Sequence, residues 1–411
     1  MPEAARRLFV TISARARPLF EPLLRRFPWA GRFLDALYYL VVTGRPVAPG
    51  DVRADTGPSR SPIKEVFGPI GMNVSAYIQS ETGTGESARS MLTTLDAAGI
   101  PHVLFNMTDH SALNNDRQFT QFEAQTPYAF NLLHLLPVTL PHLFAERGVD
   151  FLVNRYNIGF WNWELESFPV EWLQSLRHYD EVWVSASFTR DHLALVSPRP
   201  VFRVPLALPD PPPLPPGLDR ARFGIPGDSF VFLFMFNWHS SMGRKNPLGL
   251  IDAFKRAFTP DDNVVLFIKS SNMSGEDMEL MRGGAGPARI LFMDDILPRE
   301  EVYALYALCD SYVSLHRAEG FGLPLAHAMQ AGKPVIATGY GGNLDFMRPG
   351  NSYLVNHTLI DIEETHWWYR AGAWWADPDL DHAAALMRLV YENQEAARSV
   401  GAVARDDVRA E

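Results

Sequence analysis

One stretch of this chain holds residue types suited to chemistry on a phosphate or a sugar. It runs from Ser314 to Thr338 and contains Glu319-Gly320-Phe321-Gly322-Leu323-Pro324. An apolar strand leads into those glycines, Pro324 falls where a first helical turn tolerates proline, and Gly332 ends the helix. Glycines at a strand-to-helix turn let a phosphate reach backbone N–H groups at the positive end of the helix. Glu319 sits at the mouth of the turn. A carboxylate there repels a diphosphate, so its expected role is to accept hydrogen bonds from hydroxyls, such as those of a sugar. A second glycine loop follows the next strand and offers further amides at Gly341, Gly342 and Asn343. Taken alone, these glycines fit a tight turn equally well.

Upstream, Arg244 and Lys245 precede a helix that opens at Pro247. The pair could be a solvated helix start, but cations are unfavourable at a helix N-terminus unless an anion lies nearby, which favours a bound phosphate. In the first half of the chain, Gly83, Thr84, Gly85 and Glu86 form another glycine turn. Asn162 and Glu164 follow a strand and face two readings, a place near a reacting sugar or packing with Trp161 and Trp163. The aromatic cluster Trp367, Trp368, Trp374 and Trp375 reads as packing against the domain body, with sugar stacking as the lesser alternative.

The elements that position these residues alternate strand and helix. Residues 71–78 read as a strand, 81–86 as a glycine turn, 87–98 as a helix and 102–105 as the next strand. Further strands are predicted at 130–133, 151–154 and 181–184. A second series follows, with strands at 230–236, 264–269, 290–292, 311–315 and 335–337 and helices at 247–258 and 299–308. Alternation of this kind implies parallel α/β sheets. Residues 205–217 carry seven prolines, which cannot sit in a helix or a central strand, and read as a linker. Two doubly wound halves joined by a linker imply a cleft, with ligands at the strand carboxyl ends.

Glu-Gly-Phe-Gly-Leu-Pro-Leu-Ala, then Ala-Gly-Lys-Pro-Val-Ile-Ala-Thr, then Gly-Gly-Asn-Leu-Asp-Phe-Met, resembles the donor-site signature of glycosyltransferase family 4. The stretches from Asn157 to Glu166 and from Asp180 to Thr189 resemble a bacterial subgroup linked to polysaccharide synthesis. The resemblance covers roughly residues 70–390. It implies an α/β, GT-B fold with two Rossmann-like doubly wound domains facing across a cleft and an N-terminal helical extension. The implied boundaries are 1–67 for a basic extension and linker, 68–204 for an acceptor domain, 205–220 for the proline linker, 221–380 for a nucleotide-sugar donor domain, and 381–411 for a C-terminal helix.

The implied activity is retaining transfer of a hexose, of the mannose, glucose or rhamnose type, from a nucleotide-diphosphate sugar to a glycan or lipid-linked acceptor, in cell-surface polysaccharide synthesis. Catalytic roles fall to Glu319, Arg244 and Lys245. Donor binding falls to Gly320, Phe321, Gly322, Leu323, His327, Gly341, Gly342 and Asn343. Gly83, Thr84, Gly85, Glu86, Asn162 and Glu164 fall on the acceptor side. No metal and no cofactor is expected. One departure stands out: the family's second glutamate, separated from the first by seven residues, is His327 here. A neutral imidazole accepts one hydrogen bond where a carboxylate accepts several. The competing reading is therefore a non-catalytic sugar-nucleotide-binding subunit that partners an active transferase.

Composition agrees with a folded chain. The 411 residues are 47% hydrophobic and 20% charged, which excludes a mainly disordered protein. A net charge of −10 argues against general nucleic-acid binding. The single cysteine, Cys309, excludes an intrachain disulfide and a Cys-based zinc site. The first 45 residues differ from the rest, with eight arginines against three acidic residues interleaved with Leu, Phe and Trp. Such a segment suits peripheral contact with an anionic membrane surface, or else packs on the protein body as a helical extension. The expected location is cytoplasmic, including the inner face of the membrane.

Overall fold

The computed structural model describes residues 66–110, 112–366 and 368–410. The N-terminal extension, its membrane contact and Trp367 lie outside the described residues.

Two six-stranded sheets organise the chain. The strands of the first are β1 (Met72–Ala76), β2 (His102–Asn106), β3 (Phe130–His134), β4 (Tyr156–Trp161), β5 (Glu181–Val184) and β6 (Val201–Arg203), in the order β2-β1-β3-β4-β5-β6. The second holds β7 (Phe230–Met235), β8 (Val264–Ser270), β9 (Ile290–Asp294), β10 (Ser311–Ser314), β11 (Val335–Thr338) and β12 (Tyr353–Val355), in the order β12-β11-β10-β7-β8-β9. Pairing is parallel, with β1 between β2 and β3, and β7 between β8 and β10. A separate antiparallel ribbon joins β13 (His357–Asp361) to β14 (Trp374–Pro378). The α/β class read from the sequence is the observed one.

The chain forms two compact units. Among the described residues, the first comprises 66–81 with 100–158 and the second 82–99 with 159–410. In the first unit, the amide of Asn73 donates to Tyr128 O at 2.9 Å, Phe130 O at 3.1 Å and Asn131 Oδ1 at 2.9 Å. Burying those polar groups is tolerated because each finds a partner.

In the second unit, β7 is buried at all six positions, the pattern of a parallel strand covered on both faces. Its Phe232 and Phe234 pack with Ile251 and Phe254 of the helix Pro247–Ala257. That helix buries Leu250, Ile251, Phe254 and Ala257 at spacings of three and four, which puts them on one face. The proline-rich segment carries no helix or strand between 204 and 215. It is pinned where Ser90 Oγ donates to Ala207 O and Gln330 Nε2 donates to Pro209 O at 2.9 Å.

Two expected elements move. Residues 151–154 are not a strand. Asp150–Leu152 is a 3₁₀ turn, Asn154 is left-handed at φ 59°, and the strand begins at Tyr156. Val and Phe propensity suggested extension there, but the continuously buried run lies later, from Asn157 to Trp161. The helix expected from Ser87 begins at Gly83 instead. Thr82 caps it by accepting from Gly85 N at 3.4 Å, so Gly83, Thr84, Gly85 and Glu86 form its first turn rather than a free loop.

Candidate functional site

β10 ends at Ser314 and the chain turns through Glu319, Gly320, Phe321 and Gly322 into the helix Leu323–Gln330. Gly322 is the residue before that helix, at φ +96°, a region open to glycine. The second glycine loop packs directly on this turn. Gly342 N donates to Glu319 O at 2.8 Å, and a Cβ on Gly342 would lie 1.9 Å from Gly320 O. The tight-turn requirement read from the sequence is thus real, whatever else these amides do. Asn343 is fully buried and braces the loop by donating to Thr338 O at 3.2 Å, while its Oδ1 has no hydrogen-bond partner. Phe321 is buried against Phe346.

Opposite this turn stand Arg244 and Lys245. The short helix Met242–Lys245 ends at Asn246, whose left-handed backbone, φ 52°, redirects the chain into Pro247–Ala257. Asn246 holds the junction by donating to Leu315 O at 3.0 Å and accepting from Gly249 N at 3.2 Å. This bend aims both cations at Glu319. Lys245 Nζ lies 2.5 Å from Glu319 Oε2. Arg244 donates to Ser240 O and Ala318 O, both at 3.0 Å, and stands 3.7 Å from Glu319 Oε2 and 3.7 Å from Glu164 Oε1. All four charged side chains are largely buried.

Burial raises the Glu319 pKa, but the Lys245 and Arg244 cations outweigh it and hold the carboxyl at about 2. Burial lowers the Lys245 pKa, an effect the Glu319 carboxylate opposes and the Arg244 cation reinforces. His316 is buried and neutral near pH 7, its pKa pushed down to about 4 chiefly by burial. Its ring nitrogens bond Ser314 Oγ and Tyr340 O, both at 3.1 Å. Arg317, two residues before Glu319, pairs with Asp377 at 3.0 Å.

Glu164 joins this cluster through the tight approach of the two chain segments. A Cβ on Gly320 would lie 2.9 Å from Trp163 O and 3.5 Å from Glu164 Cγ. Asn162 is apart from the cations, with its amide 3.5 Å from Ser87 Oγ. Trp161 is fully buried and belongs to the core.

Glu86 and His327 belong to a second cluster. Glu86 pairs with Arg89 at 2.8 Å and Arg299 at 3.1 Å. The His327 ring meets Tyr303 edge-on, 5.1 Å between centroids, and its buried Nδ1 has no hydrogen-bond partner. Burial lowers the pKa of this imidazole, against the opposing pull of the Glu86 charge. Gly83 faces open space.

Tyr369 is the residue the sequence reading missed. It follows β13 in the segment before β14, stacks on Trp163 at 5.6 Å and 14°, and donates its hydroxyl to Glu164 Oε2 at 3.1 Å. Its signal was hidden beside an aromatic cluster read mainly as packing. That assignment holds for Trp375, which is buried, and Trp368, whose ring lies 6.0 Å from Trp172, whereas Trp374 is half exposed.

Comparison with known proteins agrees with this architecture. Residues 218–407 match the family model of glycosyl transferases group 1. Among solved structures, Anabaena HepE in complex with UDP and glucose superposes with a TM-score of 0.56 at 14% identity, covering 83% of this chain and 95% of that one. Sucrose-phosphate synthase from Thermosynechococcus elongatus gives 0.58 at 16% identity, covering 83% and 94%. S. aureus TarM, in complex with fondaparinux, alpha-GlcNAc-glycerol and UDP, gives 0.51 at 14% identity, and this chain covers 52% of its length against 69% of its own. No curated protein sequence matches the chain. The fold is GT-B, and residues 218–407 are similar to glycosyl transferases group 1. Among the described residues, no helix is long and apolar enough to cross a membrane.

Proposed function

We propose that the protein is a retaining glycosyltransferase that moves a hexose from a nucleotide-diphosphate sugar to a glycan or lipid-linked acceptor in cell-surface polysaccharide synthesis. The observation that carries this reading is the buried cluster of Lys245, Arg244, Glu319 and Glu164 beside the Gly320–Gly322 turn. Two cations balanced by two carboxylates suit a substrate with anionic oxygens at one end and hydroxyls at the other. Diphosphate oxygens take Lys245 and Arg244, which frees Glu319 to accept hydrogen bonds from the donor sugar.

The acceptor hydroxyl oxygen then bonds to the anomeric carbon. The bond from that carbon to the phosphate oxygen breaks, and its electron pair leaves with the nucleoside diphosphate. The acceptor proton passes to the departing oxygen on the same face, so the anomeric configuration is kept. Arg244 and Lys245 stabilise the developing charge as preorganised donors, so this reading needs no metal. HepE and TarM are described with UDP, which makes UDP the first nucleotide to test. Residues 1–45 supply the contact with an anionic membrane surface where a lipid-linked acceptor resides.

His327 favours a second reading, a nucleotide-binding subunit without chemistry that partners an active transferase. Its neutral ring offers one acceptor atom where a carboxylate offers several. Incubation with UDP-, GDP- and dTDP-sugars, followed by nucleotide release, separates the two. Release that disappears in Glu319→Gln supports the enzyme. Nucleotide binding with no release from any donor supports the subunit, and neither binding nor release overturns both.

A further inference from the structure

Glu164 has two partners of different kinds. The Tyr369 hydroxyl donates to Oε2 at 3.1 Å, and Arg244 stands 3.7 Å from Oε1. The first distance is a hydrogen bond and the second is too long for one. Arg244 is likewise 3.7 Å from Glu319, whose nearer partner is Lys245. The guanidinium donates to two main-chain carbonyls, Ser240 O and Ala318 O, and lies 5.9 Å from the centre of the Tyr369 ring, while each carboxylate has a nearer donor, Tyr369 for Glu164 and Lys245 for Glu319.

We propose that Tyr369 is a positioning residue that holds Glu164 off Arg244 and so keeps the guanidinium available to a diphosphate. The inference rests on the donor-site reading above. Tyr369 is suited to the task for three reasons. Its ring is fixed by the stack on Trp163, 14° from parallel. Its position is anchored by its neighbours, since Trp368 lies against Trp172 and Arg370 pairs with Glu171 at 3.0 Å. Its phenol stays protonated, because burial raises its pKa and the Glu164 charge adds to this, against the opposing pull of Arg244. A neutral phenol always has a proton to give to the carboxylate. Without that proton, Glu164 turns toward the remaining donor, Arg244, and forms the charge-assisted bond that a diphosphate would otherwise make.

The test is a double-mutant cycle of Tyr369→Phe and Glu164→Gln, read by calorimetric titration with UDP and with inorganic pyrophosphate. Tyr369→Phe keeps the ring and its stack. It is expected to weaken both ligands roughly tenfold, the scale of one hydrogen bond to a charged group. In the Glu164→Gln background, which has no charge to collapse onto Arg244, the same substitution is expected to cost less than about twofold. A Tyr369→Phe variant that binds like wild type overturns the inference. So does a tenfold loss that persists in the Glu164→Gln background, or one that follows a drop in unfolding midpoint across the cycle. Wild-type protein that binds neither UDP nor pyrophosphate overturns the donor-site reading itself, and this inference with it.

Discussion

The chain contains two strand–glycine turn–helix units that look alike in sequence and differ in physical cause. At the first, Gly83 opens the helix Gly83–Ala97 and a Cβ there would meet no atom within 4 Å. At the second, Gly341 and Gly342 lie under Glu319 and Gly320, where a Cβ would come within 2.6 Å and 1.9 Å of backbone oxygens. Their acids differ as well. Glu86 shares its charge with two arginines, one on its own helix. Glu319 meets a lysine and an arginine that a left-handed asparagine has turned toward it. Only at the second turn does packing force both the glycine and the charge.

The comparison can be broken most severely at Gly342. Gly342→Ala places a methyl inside the Gly320 carbonyl and should cost roughly 4 kcal/mol, read as a large fall in the midpoint of chemical denaturation. Gly83→Ala is the matched control at the other turn, and its effect is the smallest of the series.

Next in size is Glu319→Ala. It leaves Lys245 and Arg244 buried without their carboxylate, and breaking a buried pair from one side costs about 3 kcal/mol. Nucleotide release should fall with it. Glu319→Gln removes the charge with little change of shape, and should lose release with less loss of stability.

Acid sharpens the same point more gently. The Glu319 pKa falls from an ordinary value of 4.5 to about 2 in the folded protein. A depressed carboxyl stabilises the fold above the unfolded pKa, and that contribution disappears as pH falls from 4.5 through 2. Denaturation curves should therefore show wild type losing roughly 2 kcal/mol more than Glu319→Gln across this window. Parallel curves would mean that Glu319 is not held as an anion. Smallest of all, Gly83→Ala should be neutral or stabilising by about 0.5 kcal/mol, since alanine restricts the unfolded chain and favours the helix.

Much of this was legible in the residues. The helix expected at 299–308 is the observed Arg299–Leu308, because a proline before it and a buried face of tyrosines and leucines mark it clearly. β7 and β8 were visible as unbroken apolar runs. The start of the first glycine helix was not, because glycine argues against helix while a Thr82 cap and three-dimensional packing decide for it. β4 was misplaced because residues 149–153 and 156–161 are both apolar, and only the left-handed Asn154 between them separates turn from strand. Glu319, Arg244 and Lys245 stood out by type and spacing. Tyr369 did not, because its partner Glu164 lies 205 positions away and nothing local distinguishes it from the tryptophans around it.

In the proposed function, Lys245 and Arg244, paired with Glu319 in this structure, are the cations for a nucleoside diphosphate. The most direct measurement is calorimetric titration of the wild-type protein and Lys245→Ala with UDP, GDP and dTDP in the absence of added metal. One nucleotide should bind wild-type protein and lose roughly tenfold or more in affinity in Lys245→Ala, the scale of one charge-assisted bond. Equal binding by the two proteins would place the diphosphate elsewhere and contradict the account.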